Sequence, residues 1–246
     1  NSFLKFNPTT GIILNVEAEH LDYFKSLENV RLSFKTFAER IPKDGLLIIN
    51  GDIEEISYFT QDLDCNIITY SLKFKESPIK NSIYHYFADN INYDQYGRGN
   101  YDLLVNGEFI DDIRLNVVGA HNISNSLPSI ALADSLNISM DLIKKGIFAF
   151  KGTERRFEYK GQIGGLTIID DYAHHPTEVN ATLTAAKNYP HKSIFCVFQP
   201  HTYTRTKTFL KEFASSLSLA DVIILTDIYA AREKNPGDIS SKDLEK

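Results

Sequence analysis

Hydrophobic residues in the first fifty positions form short β-branched runs and one helical pattern. Residues 11–16 (GIILNV) and 45–50 (GLLIIN) predict buried strands, and several acidic residues and a histidine follow the first of them. Between the two strands, Val30 and Phe34 belong to a pattern of helical spacing that ends at Pro42. A strand, a helix and a strand in this order predict a βαβ unit, and therefore a parallel sheet.

From about residue 66 the pattern changes to short β-prone segments that are separated by polar residues. These segments lie at residues 66–74, 83–87, 101–105 and 109–117. The dipeptide Asn106-Gly107 between the last two is the preferred sequence of a two-residue hairpin turn. The sequence therefore predicts an antiparallel meander attached to the βαβ unit.

The rest of the chain alternates between helical and strand patterns. Two helices are predicted at residues 119–136 and 139–150, followed by the charged connector 151–157. Strands are then predicted at residues 166–169, 193–198 and 221–225, with helices that begin at residue 177 and near residue 204. This alternation predicts a small doubly wound α/β domain. We place the boundary near the connector, with one domain at residues 1–150 and a second at residues 151–246.

Composition narrows the class of protein without identifying its function. Hydrophobic residues make up 43% of the chain and charged residues 24%, which is typical of a soluble globular protein. The net charge of −6 does not favour nonspecific binding to nucleic acid or to anionic membranes. No apolar run approaches the roughly 20 residues that span a bilayer, and the N-terminus does not resemble a signal peptide. The two cysteines predict neither a disulfide framework nor a zinc site, so we expect a cytoplasmic protein.

The densest group of chemically active side chains follows the predicted strand 166–169. Within six residues there are two aspartates, a tyrosine and two histidines, in the sequence DDYAHH, and Pro176 then opens a helix. Ligands of open α/β sheets bind at such strand ends. A capped strand–helix turn with solvent-facing acids is the simpler alternative, but a cap requires fewer polar residues than are present here. We therefore predict a functional site.

A second polar group follows the strand 193–198. Arg205 and Lys207 fall in the predicted first turn of the next helix, where the helix dipole disfavours cations. An anion held jointly by the helix N–H groups and Arg205 would explain that arrangement. A solvated arginine with little energetic cost is the alternative.

Four segments of the second half resemble one family when they are taken together and in order. They are GTERRFE (152–158), DDYAHHPTE (170–178), FQPHTYTRT (198–206) and DIYAARE (227–233), and the first half adds NVEAEHLD (15–22) and GAHNISN (119–125). These segments resemble the Mur ligases, most of all the members that join L-alanine to UDP-N-acetylmuramate. The resemblance implies the remainder of a central ATPase-type α/β domain with an antiparallel meander, followed by an incomplete Rossmann-like C-terminal domain.

The resemblance also implies an activity. In this family ATP phosphorylates the muramoyl carboxylate, and the amine of L-alanine attacks the acyl phosphate to form an amide, ADP and phosphate. The expected cofactors are ATP and Mg²⁺, the expected substrates are UDP-N-acetylmuramate and L-alanine, and the process is the synthesis of peptidoglycan precursors for the cell wall. Such a reaction needs stabilisation of the transferring phosphoryl group and a clamp for the amino-acid carboxylate.

Roles for individual residues follow from the resemblance alone. It implies that His20 lies at the magnesium ion, that Arg156 reaches an ATP phosphate, and that Asp171 holds the ribose hydroxyls. Adenine would lie beside the side chains of the HN-x-x-N segment, which are His121, Asn122 and Asn125. The sites for L-alanine and the muramoyl group would be lined by Tyr172, His174, His201 and Arg205, with Arg205 on the alanine carboxylate. The predicted catalytic residues are His20, His201 and Arg205.

This sequence departs from the family pattern in three ways. It contains no G-x-x-x-x-G-K-[ST] phosphate loop, which family members have upstream together with a domain for the UDP group. It stops before the family's C-terminal domain is complete. Thr202 stands where many members have arginine, which removes one charge from the substrate clamp. We therefore expect a piece of an enzyme that is inactive alone.

Three other functions remain open from the residues. One is a murein tripeptide recycling ligase, although the segment FQPHTYTRT favours the enzyme that uses alanine. Another is a metal-dependent hydrolase built on Asp171, His174, His175 and His201, which bound zinc with three protein ligands would support. The third is a nucleotide-binding module without catalysis, which the missing phosphate loop would explain.

Overall fold

The computed structural model describes residues 3–18 and 21–244 and divides into two compact units. The first unit comprises Asn1–Asn92, Asn100–Arg114 and Asn122–Ala149. The second unit comprises Tyr93–Gly99, Leu115–His121 and Phe150–Lys246. The single division near residue 150 stays a prediction.

Strands and helices of the first 149 residues follow the predicted order closely. In chain order they are β1 (Thr10–Ile13), α1 (Leu21–Phe24), α2 (Leu27–Ala38), β2 (Leu46–Asn50), α3 (Ser57–Thr60), β3 (Asn66–Ser71), β4 (Tyr84–Tyr93), β5 (Arg98–Val105), β6 (Glu108–Val118), α4 (Ala120–Ser135) and α5 (Met140–Ala149). Short 3-10 helices lie at Phe3–Lys5, before β1, and at Ser241–Leu244, near the C-terminal end of the chain. The predicted βαβ unit, the two later helices and the meander strands are confirmed as elements, with small shifts at their ends.

The six strands form one sheet in the order β1-β2-β3-β4-β5-β6. The first four strands pair in parallel, with Ile12 opposite Ile48 and Ile48 opposite Ile68. The prediction that the segments 66–74 and 83–87 belong to an antiparallel meander was therefore wrong, because β3 and the start of β4 extend the parallel part. The reason is visible in β3, where all residues after Asn66 are buried. Burial on both faces is typical of parallel strands.

The hairpin between β5 and β6 confirms the predicted turn. Asn106 has φ 50° and Gly107 has φ 82°, and two successive positive values define the turn that matches the twist of a β-hairpin. No atom lies within 4 Å of the position that a Cβ of Gly107 would occupy. Glycine is needed there for its backbone freedom rather than for close packing.

Helix α2 packs against one face of the parallel strands. Ser26 caps its start by accepting a hydrogen bond from Asn29 N, and the helix ends at Ala38, four residues before the proline. Ala38 joins a core cluster with Ile13, Leu47 and Ile49, all of them at most 1% exposed. Each large side chain buried in this way contributes about 1.5–3 kcal/mol. Apolar packing thus holds the sheet beneath the loops at its strand ends.

The strands and helices after residue 150 carry the predicted site. In chain order they are β7 (Glu158–Ile163), β8 (Leu166–Asp170), α6 (Pro176–Asn188), β9 (Phe195–Phe198), α7 (Tyr203–Thr208), α8 (Leu210–Leu217) and β10 (Val222–Leu225). Strand β7 was missed by sequence analysis. None of its residues is buried, so its sequence lacks the hydrophobic pattern of a strand. It forms because Gly164 and Gly165, both with positive φ, turn the chain into an antiparallel hairpin with β8.

Strands β9 and β10 pair in parallel, with Phe195 opposite Val222 and Phe198 opposite Leu225. Helices α6 and α8 pack on them through a core that includes Leu183, Phe198 and Phe213. Within the described residues, β8 pairs with β7 rather than with β9, so this unit has two small sheets. The alternation of strands and helices is as predicted, and the mixed α/β fold class is confirmed.

The predicted helix from residue 204 is in fact two helices. The chain breaks at Phe209, whose φ of −112° and ψ of 30° lie outside the helical region and which separates α7 from α8. The Phe209 ring packs 4.8 Å from the His175 ring, centroid to centroid. Its hydrophobic side chain fits the helical pattern, which is why the sequence did not predict the break. Among the described residues, no helix is long and apolar enough to span a membrane.

Candidate active site

Polar side chains cluster in the loops that follow β8, β9 and β10. Strands β9 and β10 are parallel neighbours, so the loops after them leave the same edge of the sheet. The two loops remain joined beyond the strands, because Thr202 N donates to Tyr229 O at 2.8 Å and Tyr229 N donates to Pro200 O at 2.8 Å. The backbone thus fixes His201 beside Tyr229, with ring centroids 5.5 Å apart.

Asp171 anchors the turn at residues 153–157 to the loop after β8. One carboxylate oxygen accepts a hydrogen bond from Phe157 N at 2.8 Å, and the other accepts one from Ala173 N at 2.7 Å. Tyr172 N adds a bond to Arg155 O at 2.7 Å. Each carboxylate oxygen has a second lone pair, so Asp171 retains acceptor capacity for a ligand.

Arg156 is presented between two residues with left-handed backbones. Arg155 has φ 57° and Phe157 has φ 46°, which is uncommon for side chains other than glycine and asparagine. The Arg155 guanidinium lies 4.5 Å from the centre of the Tyr172 ring, a cation–π contact. The Arg156 guanidinium is half exposed, and its Nη1 lies 3.2 Å from Glu178 Oε1. The turn therefore offers Arg156 toward solvent with one fixed partner.

Glu178 is the third residue of α6 and joins that helix to the loop before it. Its Oε2 accepts hydrogen bonds from His174 N at 3.0 Å and from His175 N at 3.2 Å. The His175 side chain caps the helix in return, which completes a capping box. Burial raises the pKa of Glu178, but the N–H donors of the loop, the His174 ring and Arg156 outweigh it and lower that pKa overall. Glu178 is therefore a stable anion in this loop.

The His174 ring lies between Glu178 and the loop after β9. Its Nδ1 is 2.9 Å from Tyr172 O and 3.3 Å from Glu178 Oε2. Its ring centroid is 5.2 Å from that of Tyr172 and 5.9 Å from that of His201. The predicted residues Tyr172, His174 and His201 thus form one row of rings.

Arg205 lies at the other end of this row. Its Nη1 is 3.3 Å from His201 Nδ1. Burial lowers the pKa of His201, and the neighbouring charges of Arg205 and His174 lower it further. The structure therefore brings together Arg156, His174, His201 and Arg205 through contacts within the second unit.

Helix α7 does not provide the N-terminal anion site that was predicted from the sequence. Helix α7 has only six residues, so Arg205 lies in its last turn as well as its first, and the dipole cost is small. Two N–H groups of that turn are also occupied, because Thr204 N donates to Glu233 Oε2 at 2.9 Å and Arg205 N donates to Thr202 Oγ1 at 3.4 Å. An anion at this position would therefore depend mainly on the Arg205 guanidinium.

Thr202 takes an unusual backbone conformation at the start of α7. Its φ of 70° and ψ of 142° lie in a region that L side chains rarely adopt. The Thr202 hydroxyl caps α7 through Arg205 N, and its carbonyl accepts a hydrogen bond from the Thr206 hydroxyl at 2.7 Å. The position therefore shapes the loop that carries His201 and Arg205.

His121 belongs to the second unit, whereas Asn122 and Asn125 belong to the first. Desolvation is the main cause of a lowered pKa for His121, although part of the residue is exposed. The charge of Asp171 raises that pKa and the charge of Arg156 lowers it. Gly119, with φ 93°, lies against that ring, since a Cβ there would be 2.8 Å from His121 Cε1. His121 thus neighbours two of the residues assigned to ATP.

Two asparagines of the HN-x-x-N segment stand in the first turns of α4. Asn122 is half-buried and Asn125 is exposed, and Asn125 O accepts a hydrogen bond from the Ser129 hydroxyl at 3.2 Å. Their role toward adenine stays a prediction. His20, the predicted magnesium neighbour, lies outside the described residues.

The hydrolase alternative gains no support from the geometry. Within residues 3–18 and 21–244, no three His, Cys, Asp or Glu side chains are grouped so that they could hold a metal ion. His175, one of its four proposed ligands, is buried against Phe209 and caps α6.

Three residues of the cluster lie in the quoted motifs but were given no individual role by sequence analysis, namely Glu178, Tyr229 and Glu233. A carboxylate three residues into a helix is a recognised capping signal, so Glu178 could have been found from the sequence. Its contact with Arg156 could not, because it joins residues far apart in the chain. The same holds for the bond between Glu233 and Thr204 N.

Comparison with known families gives two matches that together cover most of the chain. Residues 2–133 match the Mur ligase middle domain. Residues 155–246 match the family described as Mur ligase, glutamate ligase domain.

Individual proteins also match the chain. The chain is 55% identical over its whole length to UDP-N-acetylmuramate–L-alanine ligase of Lachnoclostridium phytofermentans, covering 53% of that protein. It is 54% identical over 99% of its length to the enzyme of the same name from Lachnospira eligens, covering 52% of it. Among solved structures, UDP-N-acetylmuramate-alanine ligase of Thermotoga maritima matches with a TM-score of 0.72 and 28% identity, over 92% of this chain and 47% of that one. The chain thus spans about half the length of the relatives it matches.

Proposed function

The chain belongs to the Mur ligase family, and from this premise we propose that the protein containing it is an ATP-dependent ligase that joins L-alanine to UDP-N-acetylmuramate. ATP supplies the phosphoryl group that activates the muramoyl carboxylate as an acyl phosphate. The amine of L-alanine then attacks the acyl carbon, an amide bond forms, and phosphate leaves. The names of the relatives support this choice of substrates, since they are called UDP-N-acetylmuramate–L-alanine ligases.

We assign the ATP side of the reaction to the turn at residues 153–157 and its neighbours. A half-exposed guanidinium is suited to a phosphate, because it is always charged and donates in a planar fork, so Arg156 fits that role. Asp171 keeps lone pairs for the ribose hydroxyls, and His121 lies beside both residues. Asn122 and Asn125 belong to the other unit and are assigned to adenine on the family resemblance alone, since their amides offer donors and acceptors of the kind that a purine edge requires.

The alanine side is assigned to the loop after β9. Arg205 is half-buried and uses one nitrogen on His201, which leaves donors of its fork for a carboxylate. The lowered pKa of His201 keeps that ring neutral near pH 7, so it does not add a second positive charge to the clamp. Tyr172 and His174 continue the row of rings from His201 and would contact the muramoyl group.

One structural observation gives this proposal its strongest support. The guanidinium assigned to phosphate and the guanidinium assigned to alanine are linked by consecutive contacts through Glu178, His174 and His201. A carboxylate oxygen accepts the phosphoryl group from ATP, and the amine then attacks the carbon of the same carboxyl group, so both charge-stabilising groups have to be held in one place. A binding module without catalysis would not require this linkage.

Magnesium, bound near His20, and a cytoplasmic location complete the proposal. Mg²⁺ prefers oxygen ligands, and a histidine at its site rests on the family resemblance. A cytoplasmic ligase would work where ATP is made available to it. Both assignments stay predictions.

The test is an assay of a full-length protein that contains this chain. ADP release should require both UDP-N-acetylmuramate and L-alanine, and mass spectrometry should show the product with one alanine added. ADP release with murein tripeptide and not with alanine would favour the recycling ligase instead. Activity that persists without ATP and is lost with a zinc chelator would overturn the proposal in favour of a hydrolase.

A further inference from the structure

Glu178 touches Arg156 directly and is not itself assigned to a substrate above. Its two carboxylate oxygens have separate partners: Oε1 faces Arg156 Nη1 at 3.2 Å, and Oε2 accepts the N–H groups of His174 and His175 at 3.0 and 3.2 Å. The second oxygen therefore fixes the carboxylate to the backbone of the loop. The first oxygen is left to hold the guanidinium.

We propose that Glu178 is a positioning residue that holds the Arg156 guanidinium in the orientation needed to bind the phosphates of ATP, an inference that rests on the proposed function. Among the described residues, the guanidinium of Arg156 is hydrogen-bonded through Nη1 alone. Four of its five N–H donors remain for a phosphate while Nη1 stays on Glu178. The anchored carboxylate thus sets the direction of the fork.

The backbone around Arg156 shows why a side-chain partner is needed. The turn is fixed at its ends, since Phe157 N is held by Asp171 and Arg155 N donates to Glu158 Oε2 at 2.8 Å. These bonds position the Cα of Arg156 but not its long side chain, which loses much conformational entropy when it is ordered. Pairing with Glu178 before ATP arrives reduces the ordering that binding has to supply.

Helix capping alone does not explain a carboxylate at this position. Glutamine serves equally well at the third position of a capping box, because an amide oxygen can also accept the backbone N–H. The negative charge is what pairs with Arg156, and the low pKa of Glu178 keeps that charge present at neutral pH.

A positioning role for Glu178 and simple charge repulsion predict opposite changes in the affinity for ATP. Removing a negative charge near a polyphosphate should strengthen binding if charge alone mattered. If Glu178 orients Arg156, the substitution Glu178→Gln should weaken binding instead. The expected loss of ATP affinity is about twofold to fivefold, the range for a half-exposed ion pair.

The experiment measures the dissociation constant of ATP by calorimetry, and the KM for ATP and for alanine, in a full-length protein that contains this chain. Glu178→Gln should raise the Kd and KM for ATP, change the KM for alanine less, and leave the melting temperature within a few degrees of wild type. The rise in Kd should vanish when Arg156→Gln is already present, because the effect acts through Arg156.

Glu158→Gln is the matched control. Glu158 is the first residue of β7, directly after that turn, and glutamine there keeps an oxygen for Arg155 N. The ion pair that the substitution removes is with Lys160 at 2.8 Å rather than with Arg156. Its substitution should not weaken ATP binding.

Unchanged or tighter ATP binding in Glu178→Gln would overturn the inference, and so would an equal loss in the Arg156→Gln background. A wild-type protein that binds ATP but forms no amide would overturn the proposed function alone, since the Kd comparison would still decide the role of Glu178.

Discussion

Arg205 Nη1 lies 3.3 Å from His201 Nδ1. A guanidinium can only donate hydrogen bonds, so His201 Nδ1 must be the acceptor and its ring proton must reside on Nε2. The contact therefore selects one neutral tautomer of His201. It also places a permanent positive charge beside a ring that can itself become positive.

Replacing Arg205 with glutamine should raise the pKa of His201. Arg205 is one cause of the lowered value, after burial, and its removal makes the protonated ring less unfavourable. An NMR titration of the His201 ring protons in wild type and Arg205→Gln would measure the change. Lys207→Gln is the control, because Lys207 pairs with Asp238 at 2.5 Å instead. A pKa of His201 that falls or stays constant in Arg205→Gln would contradict the contact.

If the full-length protein is the proposed alanine-adding ligase, Arg205→Lys should impair its use of alanine. Lysine keeps the charge but loses the planar fork that grips a carboxylate. Loss of a charge-assisted hydrogen bond worth ~1.5–3 kcal/mol raises the KM for alanine by roughly tenfold or more, while the KM for ATP should barely change. Steady-state kinetics with each substrate varied would show the difference. An Arg205→Ala enzyme with an unaltered KM for alanine would remove Arg205 from the site.

Gly119→Ala should destabilise the second unit more than Gly107→Ala destabilises the hairpin. Both glycines have positive φ, so alanine costs about 1–2 kcal/mol of backbone strain at either position. At Gly119 the new Cβ would also meet the His121 ring at 2.8 Å, and such overpacking costs about 1–3 kcal/mol more. Urea unfolding of the two variants would compare them. Equal losses would mean that the His121 ring moves aside without cost.

His85 should make the chain less stable as the pH falls below its ordinary pKa. The ring is 2% exposed between Thr69 Oγ1 at 2.8 Å and Phe74 O at 2.7 Å, and burial lowers its pKa from 6.5. Below about pH 6.5 the unfolded state binds a proton that the folded state does not, so the free energy of unfolding decreases with falling pH.

Because of His85, the free energy of unfolding falls by up to about 1.4 kcal/mol for each unit by which the pH decreases. The fall levels off once the pH is below the pKa of the ring in the folded state. The free energy of unfolding of wild type and His85→Gln, measured in urea between pH 7.5 and 5.5, would isolate it. Parallel curves for the two proteins would show that His85 titrates alike in the folded and unfolded states.

The chain of 246 residues alone should bind ATP weakly. It contains no G-x-x-x-x-G-K-[ST] loop, whose backbone N–H groups cradle the phosphates in nucleotide-binding proteins of that type. Contacts through Asn122, Asn125 and Asp171 would remain and support only low affinity. Calorimetry that shows micromolar, magnesium-dependent binding to this chain would contradict the expectation.

Sequence patterns predicted the elements whose burial is periodic and missed those whose burial is not. Ile48 lies in a strand whose three central residues are all buried, Leu183 lies on the buried side of its helix, and both elements were placed correctly. Strand β7 escaped because its apolar residues, such as Tyr159, are exposed. The direction of β3 depends on its pairing partner, and the break at Phe209 depends on packing against His175, so neither is encoded in local sequence.

The candidate site, too, was predicted only in part from the sequence. The family motifs predicted the residue types and their loops, and the structure brings Tyr172, His174, His201 and Arg205 into one row. Other contacts of the site join residues far apart in the chain, since Glu178 pairs with Arg156 and Glu233 accepts a hydrogen bond from Thr204 N. Only the folded chain shows which carboxylate meets which donor.

The backbone of Thr202 limits which amino acids the site loop can accept. Glycine would be free of strain at φ 70° and ψ 142° but has no oxygen for Arg205 N, whereas threonine supplies that oxygen and holds strain of about 1–3 kcal/mol. The two backbone hydrogen bonds of Tyr229 keep the strained conformation in place. If the loop after β10 were separated from the loop after β9, the backbone of Thr202 could relax, and Arg205 would lose its orientation in the same event.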